Sequence, residues 1–535
     1  MATLKQIFNW ETPGLLEIES SLRHWLLLAN IILSNVVIVI SAVGTAIPMN
    51  EIQGYMAVNA TKIDWVESGF LLALGVAVPL SIFFSRKFGF KRLFFVGIAL
   101  FVVGSFIGGI STNYYMLISA RIVAGMGGGV IFPVSLTVIR RLFKGNALKI
   151  AVTIYVAMTF GVGLGLGCII GGFFGQLYAW RTVFLLGVYV GIPCLLFTWI
   201  LMKETGVYPT PKFDYISFIF FALFLISTLF YLTQVKAPWN TLGFRSNFSI
   251  GCMIVSVGFL SAFLRRYKMS KSPLFALSIF RRKEFTICCI AMAFVGVMIF
   301  GSSVSFINLL IEMYEYERNV VGIVVSMFGF CFGLGGLIPI ILGKWVKIHF
   351  FAIAGLMLVA VSCFVNHSLT LQSTPEDILL ILIIRALGTS LALGPLTAIS
   401  LQNMPDDLAG QASAIVTIFR QVGGAYGTAL ISIFSTVRFP YHLTRFAEMV
   451  NTNSAAYQDY IARYTNRIIG TTGTPDVLAE KYSNGYVMAN ISKQAYIASF
   501  DDAFFIFGWM FVSLTILMIY LAFSKEQKIP LPKRS

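Results

Sequence analysis

From Trp25 to Phe523 the chain repeats stretches of about 20 mostly apolar residues separated by short polar breaks. Hydrocarbon offers no water to backbone N–H and C=O groups, so only helices or closed barrels can cross it. Barrel strands would read as segments of roughly ten residues with alternating polarity, and these stretches are continuous. Fourteen of them are legible, at residues 24–45, 65–84, 93–112, 115–139, 148–172, 181–202, 215–235, 247–265, 286–311, 320–342, 349–368, 378–401, 411–436 and 502–523. A soluble domain would carry roughly a quarter charged residues; this chain has 12% charged and 57% hydrophobic residues. The expectation is an all-α integral membrane protein with 14 transmembrane helices, and a lipid bilayer as its surroundings.

The net charge of +16 would suggest nucleic acid in a soluble protein, but here the cations are sorted by loop. With the N-terminus inside, 25 Lys and Arg fall on the inner side and five on the short outer loops (Lys62, Arg181, Lys236, Arg245 and Arg318). The positive-inside rule then predicts both termini in the cytoplasm, and the charge is read as topology, with no nucleic-acid partner. The long segment 438–500, polar and rich in Asn and Tyr, is placed outside and predicted to form a hairpin or short helices. No cleavable leader pattern precedes Trp25. All seven cysteines sit in apolar runs, without the spacing of metal ligands. No nucleotide-binding Gly-Lys loop, metal-spaced His cluster or nucleophile with a paired base is found, which argues against an enzyme, a cofactor, a metal or ATP drive.

Internal similarity comes next. RIVAGMGGGVIFP (121–133) resembles RALGTSLALGP (385–395), and RKFGFKR (86–92) has a weaker counterpart in GKWVKIHF (343–350). This predicts two six-helix bundles, in residues 1–202 and 285–535, with two inserted helices and a basic loop in 203–284. Parallel repeats of that kind mark one large class of secondary transporters. Together with DWVESGFLLALGVAVP, GLGCIIGG followed by AWRTVF, PLFALSIFRRKEF, GQASAIVTIFRQVGGAYG and SKQAYIASFDDAF, these stretches make the chain resemble the major facilitator superfamily, in its fourteen-span drug:proton antiporter branch.

The resemblance implies two bundles rocking about a central site open alternately to each side. Arg86, Gly89, Lys91 and Arg92 match the family's conformational loop motif, with Ser85 where the family has Asp; topological anchoring is the other role open to Lys87 and Lys91. Gly161, Gly163, Gly165, Gly167, Gly171 and Gly172 permit close approach of another backbone, either as a sliding contact between bundles or as ordinary tight packing. Cys168 stands at the family's antiporter proline and Val39 at its first-span acid. Glu67 and Glu312 are then the candidates for proton coupling, and solvated rim acids are the alternative. Arg121, Arg385 and Arg420 are intramembrane cations, which normally face an interior or a wet cavity. Arg121 is assigned by the resemblance to the proton step; Arg121, Arg420 and Gln421 are assigned to the substrate pathway, with a packing residue bonded to backbone carbonyls as the alternative for Arg420, and Arg385 to structure.

The function expected is secondary active transport of a small organic molecule, anionic or polar, exported against protons. Short tails and the family resemblance imply a bacterial plasma or inner membrane location, and in a double-membrane cell a periplasmic adaptor protein is a further partner by family analogy. The alternatives are import of a carboxylate-type metabolite or iron chelator, and a non-transporting receptor or scaffold that uses the 438–500 segment.

Overall fold

The apolar runs fold as helices, and polar residues in the breaks cap them. The computed structural model describes residues 16–177, 180–204, 213–237, 239–240, 242–270, 274–343, 345–402, 404 and 406–523. The helices are α1 (Leu16–Val43), α2 (Met49–Met56), α3 (Ala60–Phe88), α4 (Phe90–Gly109), α5 (Tyr114–Leu142), α6 (145–177), α7 (Arg181–Leu201) and α8 (Tyr215–Val235). They continue as α9 (Asn247–Met269), α10 (Lys283–Glu312), α11 (Arg318–Leu342), α12 (Ile348–Val365), α13 (Pro375–Leu401), α14 (Asp406–Met449), α15 (Ala455–Thr472) and α16 (Asp476–Phe523). All but α2 and α15 belong to the 14 helices long and apolar enough to span a membrane. Asn59, Asn113 and Thr374 accept from backbone N–H groups at the starts of α3, α5 and α13, which satisfies donors that would otherwise be orphaned. Gly89, at φ +87°, makes the sharp junction between α3 and α4 that a side chain would strain.

Spans α1 and α3–α7 pack on one another, as do α10–α14 with α16. Two seams join these units. Along the first, α6 meets α11 through small residues: a Cβ on Gly161 would lie 2.5 Å from the Cα of Gly333, one on Gly172 would lie 2.7 Å from the Arg318 carbonyl, and one on Gly329 would strike the Gly165 backbone. Gly163, Gly167 and Gly171 face the other way, onto Val39 and Ile40 of α1 and Gly44 just past its end. The glycines therefore divide by face: Gly161, Gly165 and Gly172 lie between the units, and the other three lie within the first. Gly329→Ala should cost about 1–3 kcal/mol, because backbone cannot move aside as a side chain can. Gly258→Ala in α9, with open space around it, should leave the thermal unfolding midpoint unchanged or slightly raised.

The second seam joins α3 to α14, where the hydroxyls of Ser68 and Thr428 are 3.0 Å apart. Helix α8 lies across it. The Tyr426 hydroxyl of α14 donates to the Leu225 carbonyl at 3.0 Å, and Trp65 of α3 packs its ring against Phe230 at 6.5 Å. Helix α9 packs chiefly on α8 and is mostly exposed. The inserted pair is thus one helix bridging both units and one outrigger.

The 438–500 segment, expected as a hairpin or short helices, is a hairpin of two long helices with one short helix between them. Helices α14 and α16 extend into it from the flanking spans, 44 and 48 residues long. At helical rise they reach about 66 and 72 Å, twice the hydrocarbon thickness, and the short helix α15 packs on the projecting part of α16. Small buried residues such as Ala479 and Ser483 allow that approach. Stacked Tyr464 and Tyr486, 4.4 Å between centroids, and a Tyr457 hydroxyl bond to Asn484 at 2.7 Å hold it. Apolarity ended the sequence-based spans at 436 and 502, whereas helicity does not end where hydrophobicity does. The side of the molecule carrying α15 is called the hairpin face, and the opposite side the terminal face.

Candidate substrate pathway between the two units

Near the hairpin face a cavity of about 70 Å³ opens between the units. Its wall takes Asp64 and Glu67 from α3, Lys236 from the end of α8, Asn308 from α10, Ser432 from α14 and Tyr496 from α16. Asp64 and Glu67 are three residues apart and share a helix face. Lys236 pairs with Asp64 and also donates to the Ser432 hydroxyl at 2.9 Å. Glu67 is only 4% exposed, and among the described residues no hydrogen bond reaches it. Its countercharge is Arg121, within electrostatic range on the inner side. Lys236 and Asp64 thus form an ion pair in the cavity wall, with Glu67 one helical turn further along α3 and Arg121 within electrostatic range of Glu67.

Arg121 itself is not in the cavity wall. It is 1% exposed, inside the first unit. Its Nε donates to the Val66 carbonyl at 2.8 Å, Nη1 to the Ser41 carbonyl and hydroxyl at 3.0 Å each, and Nη2 to Thr45 Oγ1 at 3.2 Å. Phe70 and Phe184 cover its faces. A guanidinium presents five donors in a rigid fork, and here most of them are used by α1 and α3. This is a dry seam between helices, which removes Arg121 from direct contact with a substrate in this conformation. Glu312 is exposed at the end of α10, outside the cavity wall but within electrostatic range of Asp64 and Lys236.

Below the Ser68–Thr428 contact, two turns down both helices, Gly75 of α3 faces Gln421 of α14, a descent of about 10 Å. Gln421 is 0% exposed, and neither its amide oxygen nor its amide nitrogen has a partner among the described residues. Arg420 beside it lies over the Phe160 ring at 4.7 Å, with its Nε unpaired. Phe160 belongs to a π-helical turn of α6, Ala157–Val162, and Phe300, edge-on to it, to a matching turn of α10, Val297–Gly301. The buried Thr159 hydroxyl in the same turn is also unpaired. Buried polar groups are normally satisfied, and π-turns collect at functional sites, so this cluster between the units is the second part of the candidate pathway.

Arg385 occupies the corresponding seam of the second unit. It donates to the Ser362 hydroxyl and carbonyl and, at 3.1 Å, to Asn366 Oδ1, while Asn366 Nδ2 donates to Asp501 at 2.9 Å. Phe306 and Phe504 cover it, as Phe70 and Phe184 cover Arg121. On the terminal face Lys91 donates to the Trp199 carbonyl at 2.8 Å and Arg92 pairs with Glu204 at 3.5 Å, both within the first unit. The Arg86 side chain lies outside the described residues. Sequence reasoning missed Asp64, Lys236 and Asp501. Asp64 was legible as the acid three residues before Glu67; Lys236 had been counted only as one of five outer cations.

Residues 30–428 match the Major Facilitator Superfamily. The chain is 23% identical to the uncharacterized MFS-type transporter YhcA of Bacillus subtilis (strain 168), over 91% of each chain. It is 24% identical to the multidrug export protein EmrB of Haemophilus influenzae, over 88% of this chain and 90% of that one. A crystal structure of the peptide transporter POT in complex with sulfate superposes with a TM-score of 0.56 at 14% identity, covering 92% of this chain and 94% of the other. With the match spanning most of its length and fourteen spans in two packed units, the chain belongs to the Major Facilitator Superfamily of secondary transporters.

Proposed function

We propose that the protein exports small polar organic molecules in exchange for protons, with Glu67 as the proton-binding group. The observation that carries this is a buried carboxylate in the wall of a cavity between two units, countered by an arginine that is itself locked in place. Such a group gains a proton when the cavity faces the proton-rich side and yields it when the cavity faces the other. Export is favoured by the relative named a multidrug export protein. An anionic substrate was expected from cations lining the route. With Arg121 inside a seam and two carboxylates to one ammonium in the cavity wall, the reading becomes a polar substrate without anion preference.

Under this reading the chain lies in the cytoplasmic membrane with its termini inside, in line with the 25 to five division of cations. In a double-membrane cell the projecting α14–α16 hairpin is where a periplasmic adaptor protein would meet it. The test is reconstitution in vesicles with ethidium as the probe. Wild-type protein should move it uphill only under an imposed pH gradient, and Glu67→Gln should abolish that dependence. Gradient-driven flux that survives Glu67→Gln would remove Glu67 from the coupling step.

A further inference from the structure

The inserted helices are the part of the chain for which packing alone gives least reason. Helix α9 is mostly exposed, and α8 is docked on both units through Tyr426 and Trp65. Yet α8 ends by placing Lys236 in the wall of the cavity, where it is the one cation among the described lining residues. An ammonium there is costly. The Lys236 side chain is 13% exposed, and a buried ion pair regains its desolvation cost only with good geometry and further hydrogen bonds. An apolar side chain would hold α8 in place at lower cost.

The partner carboxylate is different. The Asp64 side chain remains 33% exposed beside the ammonium that neutralises it, so a molecule in the cavity can reach it. The ammonium is also held by a contact on each unit, Asp64 on the first and Ser432 on the second. Among the described residues, Glu67 and Glu312 are the other ionisable side chains near it, and both are acidic. A charge-assisted bond of this kind is strong, but it is exchangeable when one partner stays wet.

We propose that Lys236 is a tethered counter-ion. It occupies Asp64 as the cationic group of a transported molecule would, and must be displaced for such a molecule to bind. The inserted pair thereby sets selectivity: only a cation that competes with a covalently attached ammonium gains the site. This rests on the cavity being where the transported molecule binds, as proposed above. Its test is equilibrium binding rather than flux, so it stands or falls independently of whether Glu67 carries the coupling proton.

The experiment is titration of the full-length protein in lipid nanodiscs with tetraphenylphosphonium, a cation without hydrogen-bond donors. Lys236→Gln should tighten binding about tenfold, the scale of one charge-assisted hydrogen bond removed from the competition. Lys236→Arg should stay near wild type, and Asp64→Asn combined with Lys236→Gln should lose the gain. Unchanged or weaker binding by Lys236→Gln, with its unfolding midpoint preserved, overturns the proposal and leaves Lys236 as a staple for α8. Asp64→Asn alone gives an arm that does not depend on Lys236→Gln folding. It strands an uncompensated ammonium in the cavity wall and should weaken binding about tenfold; unchanged affinity overturns the proposal as well.

Discussion

Arg121→Ala should destabilise the protein by about 3–5 kcal/mol, the usual result of breaking a buried, hydrogen-bonded charge site on one side. The substitution leaves the Ser41 and Val66 carbonyls without the guanidinium that now reaches them at 3.0 and 2.8 Å. It removes the one cation within electrostatic range of Glu67 among the described residues. It also opens a void between Phe70 and Phe184, which today lie 4.1 and 5.7 Å from the guanidinium carbon. Arg121→Lys should recover little, since a point charge with three donors cannot span Ser41, Thr45 and Val66 together. The check is the thermal unfolding midpoint in detergent, read beside Glu67→Gln. Neutralising Glu67 removes a buried charge without emptying the seam, so its midpoint should move far less. Were Arg121→Ala to unfold at the wild-type temperature with transport alone lost, the arginine would belong to the pathway after all, and the seam seen here would be one stage of a cycle in which it moves.

The fourteen spans were legible because the bilayer enforces them: a helix that must satisfy its own backbone in hydrocarbon shows itself as an apolar run. The projecting halves of α14 and α16 were not, because outside hydrocarbon a helix needs no such run, and Ala479 and Ser483 pack α15 without any apolar signature. Arg121, Arg385 and Arg420 were correctly marked as buried, and charge cost alone requires that. What cost cannot say is who satisfies the charge. Arg121 and Arg385 are met by serine, threonine, asparagine and carbonyl oxygens inside their own units, groups that any helix offers and that carry no pattern in one sequence. Arg420 is met instead by a ring of the opposite unit. The glycines of α6 show the same limit: their spacing predicts close approach, but only the positions of α1 and α11 tell which face lies within the first unit and which between the units.

Gln421→Leu is the second substitution with a large expected effect, and its two consequences have opposite sign. In the present conformation the Gln421 side chain is 0% exposed with both amide atoms unpaired. An orphaned buried amide costs about 1–3 kcal/mol, while leucine fills nearly the same volume without that cost. The variant should therefore unfold at a higher temperature than wild type. A polar group kept at such expense on the seam between the two units is explained if another conformation gives it water or substrate, and leucine removes that compensation. Flux should accordingly fall even as stability rises, because the substitution favours the closed seam over the open one. The same reasoning extends to Thr159, whose buried hydroxyl, in the π-turn that carries Phe160, has no partner among the described residues; Thr159→Val should act in the same direction with a smaller amplitude. Raised stability with undiminished flux would mean that the amide does nothing in the cycle, and the polar cluster around Arg420 would lose its place in the pathway. Lowered stability would mean instead that the amide is satisfied in the resting protein, and that the route does not run between α3 and α14 at this depth.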